Sequence, residues 1–361
     1  MNKHVDAMPV PPHSELEYRP AFPENRGNIG IGIVGFGKVA RKWHLTAYEK
    51  YGLKVVGVYD ISSQAKALAL QHPSRFQVFE TLDQLLDHPE IQVVDIATRP
   101  GERTELIRRA LRAGKHVLAQ KPLAPSIAEA YSVVDEVERT GLRVAVNQNG
   151  RWAPPWRYAS LLIKAGAIGQ VQSVTHLYDT RLSWVPNASH GSSHFFLYDY
   201  SIHWIDITRC WLEDKKLLKV RAQDLAAPQQ STDGSIMQTM WLLMEYSDGT
   251  NAIIRGVGCA HTHTGHPFWI HGTEGIVRGS VDCASGDFVE LERDGRRIKY
   301  QLEGNWFPDG FAGTMGELLI SVVEDREPSN SAQNNLLTLE TTLAACLSAE
   351  EGGTSVYSML S

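Results

Sequence analysis

The sequence is poor in several features that would mark it for a particular class. It has four cysteines in 361 residues, at Cys210, Cys259, Cys283 and Cys346. They form no CxxC pair, and their spacing suits neither a zinc site nor a disulfide framework, so reduced thiols in a cytoplasmic protein are expected. No apolar run approaches the length of a membrane span. The N-terminus lacks the apolar core of a signal peptide. Positive charge is not in excess, with 35 Lys and Arg against 41 Asp and Glu and a net charge of −6. Without a global basic field, no nucleic-acid partner is expected. There is no fixed-period repeat and no low-complexity block. Residues 1–28 are polar and proline-rich, and read as an irregular arm, either packed on a neighbouring subunit or disordered.

What is present begins with strand–helix alternation. The length suits two domains with a buried core. "IGIGIV" (29–34) reads as a buried strand by its β-branched content, followed by a helix to Tyr51. "KVVGVYD", "FQVF", "VVDIAT", "HVLAQK" and "RVAVNQN" read as five further strands. Helices fall between them, with Ser62 or Ser63 and Thr81 as N-caps, Gly114 as a left-handed C-terminal residue and Gly141 closing the last of them. Asp83 falls early in its helix, where the macrodipole favours an acid. Strands separated by helices imply parallel pairing with right-handed crossovers. The expectation is a doubly wound α/β domain over residues 29–149, with ligands bound at the carboxyl ends of its strands.

Gly35-Phe36-Gly37-Lys38-Val39-Ala40 fits G-x-G-x-x-A at the first strand–helix join. Gly35 permits the tight turn, Gly37 lets the backbone approach a pyrophosphate, and Ala40 allows close helix–strand packing. Free amides at the helix start would then face the phosphates. Asp60 ends the second strand, 25 residues after Gly35. An acid there can accept bonds from both adenosine-ribose hydroxyls and repels a 2′-phosphate, so NAD is expected over NADP.

Past Asn149 the pattern changes. "PPWRYASLLIKAGAIG" is a helix opened by proline and closed by glycine. Long strands follow, with hairpin turns at "YSDGTN" and at Asp294-Gly295. Two helices close the chain. The expectation is a second α+β domain over residues 150–361, with a large, mostly antiparallel sheet.

Two stretches carry candidate chemistry. Lys121-Pro122 follows the fifth strand, at the sheet edge where the nicotinamide end of a dinucleotide would lie; a surface lysine at a strand end is the plain alternative. In "LYDYSIHWIDITRCWL", Asp199, His203 and Asp206 fall at i, i+4 and i+7 and would share one helical stripe. Ile202, Ile205, Arg209 and Leu212 would form a neighbouring, largely core-facing stripe. A histidine between carboxylates gains basicity and a fixed tautomer, which suits a general base. The plain alternative is a capping Asp199 with an ordinary packed or solvated His203. His261, His263 and His266 make a metal conceivable, but no acid or cysteine nearby completes a site, and none is expected. Trp152, Trp156, Trp306 and Phe307 read as loop aromatics, suited to ring stacking or to packing.

Five stretches in order, "GFGKVA", "YDIS", "AGKHVLAQKPLA", "LYDYSIHWID" and "FAGTMGELLISVVEDREPSNSA", resemble the glucose-fructose oxidoreductase / inositol dehydrogenase / MocA family, from about Ile29 to Gly352. The resemblance implies a Rossmann domain, a C-terminal α/β domain whose open sheet forms a homodimer or homotetramer interface, and NAD(P)-dependent oxidation of a sugar or cyclitol hydroxyl, or the reverse. Lys121 matches the family's catalytic lysine, and Asp199 and His203 match its D-x-x-x-H pair. The implied cofactor contacts are Gly35, Phe36, Gly37, Lys38, Val39, Asp60, Thr98, Arg99, Gln120 and Lys121. The implied substrate contacts are Lys121, Asn149, Arg151, Trp152, Asp199 and His203. Gln120 stands where the family usually has Glu; its amide can bond a ribose hydroxyl but carries no charge to pair with Lys121. Arg99 stands where many members have a neutral residue, which raises the chance of an acidic or unusual sugar. Two rival readings share these residues: a glycosidase that keeps NAD bound and oxidises transiently, and a non-catalytic NAD sensor.

Overall fold

The computed structural model describes residues 16–180, 194–226, 238–261, 265–282 and 286–357. Residues 1–15 of the N-terminal arm, Cys283 and His263 lie outside the described residues. The chain divides into two units that are not contiguous in sequence. One comprises Arg19–Trp152 and Trp306–Glu340; the other comprises Ala153–Asn305 and the chain from Thr341, with the stretch ending at Tyr18.

The first unit holds β1 (Gly30–Val34), β2 (Lys54–Tyr59), β3 (Gln77–Val78), β4 (Ile91–Ile96), β5 (His116–Gln120) and β6 (Val144–Asn147). They form one parallel sheet in the order β3-β2-β1-β4-β5-β6. The helices are α1 (Thr46–Lys50), α2 (Ser63–Leu70), α3 (Leu82–Leu86), α4 (Pro100–Arg112) and α5 (Ile127–Thr140). A wider π-type stretch, Ala40–Leu45, leads into α1. β1 is buried along its whole length, as a central parallel strand covered on both faces must be.

Local signals set the helix ends. Ser62 caps α2 by accepting from the Ala65 amide. Thr81 and Gln84 form a reciprocal capping box on α3. Gly141 ends α5 in the left-handed region at φ 68°. In α5, Ala130, Val133 and Val134 are buried, the i, i+3, i+4 stripe of an amphipathic helix.

The second unit holds α6 (Pro154–Lys164), β7 (Val171–Asp179), α7 (Ile202–Trp211), β8 (Leu217–Ala226), β9 (Gln238–Tyr246), β10 (Asn251–Val257), β11 (His266–Gly272), β12 (Gly275–Val281), β13 (Phe288–Arg293), β14 (Arg296–Gln301) and β15 (Val356–Tyr357). Nine strands pair in the order β14-β13-β12-β11-β7-β10-β9-β8-β15. β7 and β10 are parallel, and the other pairs are antiparallel. The β13–β14 turn places Asp294 at φ 52° and Gly295 at φ 70°, the two positive angles that a tight type I′ hairpin requires. β15 is a two-residue edge strand too short for its periodicity to be read in sequence.

His176 on β7 is fully buried in this unit. Its ring stacks on Trp211 at 5.2 Å and meets Trp156 edge-on. Burial, reinforced by the charge of His266, pushes its pKa from 6.5 down to about 3. Above pH 6.5 the group is neutral whether the chain is folded or not. Below it, the unfolded chain takes up a proton that the folded one refuses. Stability is therefore lost as pH falls from 6.5 toward 3, by about 1.4 kcal/mol per pH unit. Urea titrations at pH 7.5, 6.0 and 5.0 should show this slope, and His176→Leu should reduce it by one proton.

The last two helices, α8 (Trp306–Val323) and α9 (Ala332–Glu350), follow β14 in the chain. The sequence boundary at 149/150 put all of this tail with the second half. Instead, residues 306–340 pack with the first unit. Asn330 donates its side-chain amide to the Val146 carbonyl, and the Val146 amide donates to the Asn330 carbonyl, both at 2.8 Å. From Arg19 on, the arm also joins this unit. Phe22 lies 5.1 Å from the Tyr51 ring, and the Ala21 carbonyl sits where a side chain at Gly316 would be.

Candidate functional site

The glycine turn closes β1 against the neighbouring strands. Gly35 lies at φ 92°, and a Cβ there would come within 2.9 Å of the Ala97 carbonyl oxygen, so no other residue fits without strain. Gly37 faces open space, with nothing within 4 Å of a built Cβ. Its backbone is therefore open to close approach by a pyrophosphate. The Phe36 ring is buried, and its amide donates to Asp60 Oδ2 at 2.6 Å. Asp60 Oδ1 accepts from the Ser62 amide at 2.7 Å. Two backbone donors thus aim one carboxylate beside the turn. Lys38 and Val39 are exposed at the start of the following helix. Lys38, Arg41, Lys42 and His72 line an open cavity of about 520 Å³, which sets positive charge beside the turn.

These residues fit a dinucleotide. The turn, the open Gly37 backbone and the oriented Asp60 carboxylate supply what a pyrophosphate and a ribose diol require.

The loops after β4 and β5 form the neighbouring edge. Thr98 is half-buried, and Arg99 is exposed as the N-cap of α4. Lys121 is half-buried at the end of β5. Gln120 is directed inward. Its Oε1 accepts the Lys121 amide at 3.0 Å, and its Nε2 lies 2.8 Å from His44 Nε2. The sequence expectation gave this side chain to a ribose hydroxyl; one lone pair of the oxygen and one amide hydrogen are engaged within the unit, so one lone pair and one N–H are left for that task.

Three residues here were missed by the sequence reading. Arg103 on α4 is 2% exposed and donates to the carbonyls of Thr98 and Pro122, tying the two loops together. Its position among Glu and Arg of a charged helix gave no hint of this. His44 and Asp95 are fully buried and joined at 2.6 Å. For Asp95 a signal existed: one acid inside the apolar run "VVDIAT".

Asn149, Arg151 and Trp152 take a different role from that expected. Asn149 Oδ1 accepts from Trp306 Nε1 at 2.7 Å. Arg151 donates to the Ser329 carbonyl at 2.7 Å and to Asn334 Oδ1 at 2.9 Å. A Cβ on Gly313 would overlap the Trp152 ring at 2.2 Å. All three are buried and fasten the returning segment to the first unit. Trp306 and Phe307, read as loop aromatics, stand at the start of α8, where the Phe307 backbone is extended (φ −111°, ψ 118°) and breaks the helix.

In the second unit, His203 and Asp206 sit on α7, buried and one turn apart. Asp199 lies in a π-type turn, Phe196–Tyr200, that leads into α7. Arg209 lies 3.8 Å from Asp206 on the same helix. α7 is held rigidly: Trp204 stacks on Tyr178 at 4.0 Å, and the Tyr178 hydroxyl bonds Ser201 Oγ at 2.7 Å. Trp156, also read as a loop aromatic, is buried in α6, 5.5 Å from Trp204. In the histidine cluster, His261 is exposed and His266 opens β11 buried. Among the described residues, no group of three or more His, Cys, Asp or Glu is placed to hold a metal. No helix among the described residues is long and apolar enough to cross a membrane.

A parallel sheet bearing this glycine turn, this carboxylate and a lysine two strands from the turn defines a dinucleotide-binding unit of the Rossmann class. Residues 29–148 match the GFO/IDH/MocA oxidoreductase family with its NAD-binding Rossmann fold, and residues 156–278 match the GFO/IDH/MocA C-terminal domain. The chain belongs to this family of NAD-binding oxidoreductases. It is 26% identical to a D-apiose dehydrogenase of Paraburkholderia graminis, over 89% of this chain and 88% of that one. An uncharacterized protein of Saccharomyces cerevisiae is 30% identical over 41% of this chain, and the match spans 43% of its length, less than half. A scyllo-inositol dehydrogenase of Lactobacillus casei, solved with NAD(H) and scyllo-inositol, superposes with a TM-score of 0.75 at 24% identity, covering 91% of this chain and 99% of that one. That likeness speaks for the fold.

Proposed function

We propose that this protein is an NAD-dependent dehydrogenase acting on a hydroxyl of a sugar, cyclitol or related polyol. The observation that carries the reading is the Lys121 turn at the carboxyl end of β5, in the same parallel sheet as the glycine turn and the oriented Asp60 carboxylate. Gly35, Phe36, Gly37, Lys38 and Val39 hold the pyrophosphate, Asp60 the adenosine ribose, and Thr98, Arg99 and Gln120 border the nicotinamide end. NAD, when bound, supplies the acceptor for the hydride leaving the carbinol carbon. The Lys121 ammonium stabilises negative charge on the reacting oxygen. His203 takes the hydroxyl proton, and Asp199 orients the substrate or the imidazole. Asn149, Arg151 and Trp152, each also fastened within the first unit, complete the proposed substrate contacts with Lys121, Asp199 and His203.

The relatives named above, one a D-apiose dehydrogenase, support a polyhydroxylated substrate. The outer face of the nine-stranded sheet leaves Leu225 and Ile253 exposed, which supports a homodimer or homotetramer through that face. We place the protein in the cytoplasm.

The test is a panel of aldoses, cyclitols, polyols and acidic sugars with NAD, followed by NADH absorbance. NADH formed in proportion to oxidised product supports the dehydrogenase. Product without net NADH supports the glycosidase. No turnover on any compound, with NAD tightly bound, supports the sensor.

A further inference from the structure

Behind the Lys121 turn runs a chain of buried polar side chains that the proposed chemistry does not use. It joins six elements of the first unit: the π-type stretch, α1, β4, β5, β6 and α8. Asp95 Oδ2 lies 2.6 Å from His44 Nδ1 and accepts the Tyr48 hydroxyl, also at 2.6 Å. His44 Nε2 lies 2.8 Å from Gln120 Nε2 and 3.5 Å from Asn147 Nδ2. Asn147 Oδ1 accepts from Thr314 Oγ1 at 2.9 Å. His44, Tyr48, Asp95, Asn147 and Thr314 are fully buried, and the Phe311 ring packs against the imidazole.

One unambiguous donor fixes the direction of the chain. The Lys121 backbone N–H can only donate, and it meets Gln120 Oε1. The other end of that amide is therefore NH₂, and it donates to His44 Nε2. That nitrogen must carry the lone pair, so the proton sits on Nδ1 and is donated to Asp95. The Tyr48 hydroxyl is a donor to the same carboxylate, and burial together with the Asp95 charge holds its pKa well above the usual range. Asp95 Oδ2 thus accepts two bonds.

We propose that His44 is a positioning residue: a neutral imidazole, protonated on Nδ1, that passes the anchorage of Asp95 to Gln120 and so fixes the backbone from which the Lys121 ammonium projects. The assignment also explains what glutamine does at position 120. A carboxylate there would still accept the Lys121 amide, but it would offer His44 a second acceptor. The contact then needs an extra proton, making His44 an imidazolium between two carboxylates. Net charge in the cluster is −1 in either form. Glutamine therefore removes a buried ion pair and a mobile proton without altering the net charge behind the lysine.

The kinetic part of this proposal rests on the dehydrogenase reading; the structural part does not. Nitrogen-15 NMR of the apo protein at pH 7 should show His44 as the Nδ1–H tautomer, with Nε2 unprotonated. Gln120→Glu should convert it to the doubly protonated ring. In His44→Leu, the Lys121 amide should exchange with solvent about tenfold faster or more, because its acceptor is no longer held. In Gln120→Glu it should stay protected. On an accepted substrate, His44→Leu should lower kcat about tenfold or more and leave KM for NAD within about twofold, since the Gly35 turn and Asp60 are untouched. A wild-type His44 protonated at Nε2, or unchanged Lys121 exchange in a folded His44→Leu, overturns the proposal. If His44→Leu fails to fold, the wild-type tautomer and the Gln120→Glu spectrum decide. A wild-type protein with the expected tautomer and no turnover would count against the dehydrogenase reading alone.

Discussion

Lys121→Ala should lower kcat by about 10³-fold while leaving the dissociation constant for NAD within about twofold of wild type. An ammonium aimed at developing negative charge contributes on the scale of an oxyanion-hole donor, whose loss costs about 10²–10³ in kcat. The substitution spares the fold for a specific reason. Gln120 bonds the backbone amide of residue 121, not its side chain, so the turn and its buried support persist in the alanine variant. The pyrophosphate turn and Asp60 lie on other strands and are equally untouched. Single-turnover kinetics on the substrate found by the panel, with calorimetric titration of NAD, separates the two effects. Full activity in the variant would remove Lys121 from the mechanism.

Asp60→Ala should weaken NAD by about 10- to 100-fold and raise the affinity for NADP relative to NAD. The carboxylate accepts two backbone amides, from Phe36 and Ser62, and each is left without its acceptor on truncation. Hydrogen bonds to a charged group contribute about 1.5–3 kcal/mol each, and the ribose hydroxyls lose an acceptor as well. The negative charge that repels a 2′-phosphate goes with it. Asp60→Asn is the informative control. It keeps one oxygen for a backbone amide and so preserves much of the turn, yet it removes the charge. NADP should therefore gain in the Asp60→Asn variant even where NAD loses little. An unchanged NADP-to-NAD affinity ratio in both variants would show that discrimination resides elsewhere, with the Lys38, Arg41 and Lys42 side chains the first place to look.

Legibility in the sequence followed the range of the interaction. The turn at Gly35, the Thr81 cap, the helix end at Gly141 and the Asp294-Gly295 hairpin are fixed by residues within a few positions of one another, and each was readable. Asp60 was readable as well, because its distance from the glycine turn is set by one strand–helix–strand unit. Arg103, His44 and the contacts of Gln120 were not. Their partners come from other strands and loops, and neither a period of 3.6 nor one of 2 encodes which strand lies beside which. The π-type turn under Asp199 was hidden for another reason: an extra residue in a helical turn leaves no mark in composition. Asn149, Arg151 and Trp152 were named as substrate contacts from the family resemblance, and their fastening role was not readable. Their partners, Trp306, Ser329, Asn334 and Gly313, lie more than a hundred residues on.

That distance bears on how the protein is made. The outer side of β6 is completed by Asn330 and Ser331, and Thr314 closes the polar chain at Asn147. A ribosome that has released residues 19–152 has delivered a parallel sheet with an unsealed margin, and the whole of residues 153–305 must emerge before the seal arrives. The nucleotide-binding half is thus the first to be synthesised and the last to be finished, a high-contact-order closure that is slow and leaves a strand edge open to stray pairing in the meantime.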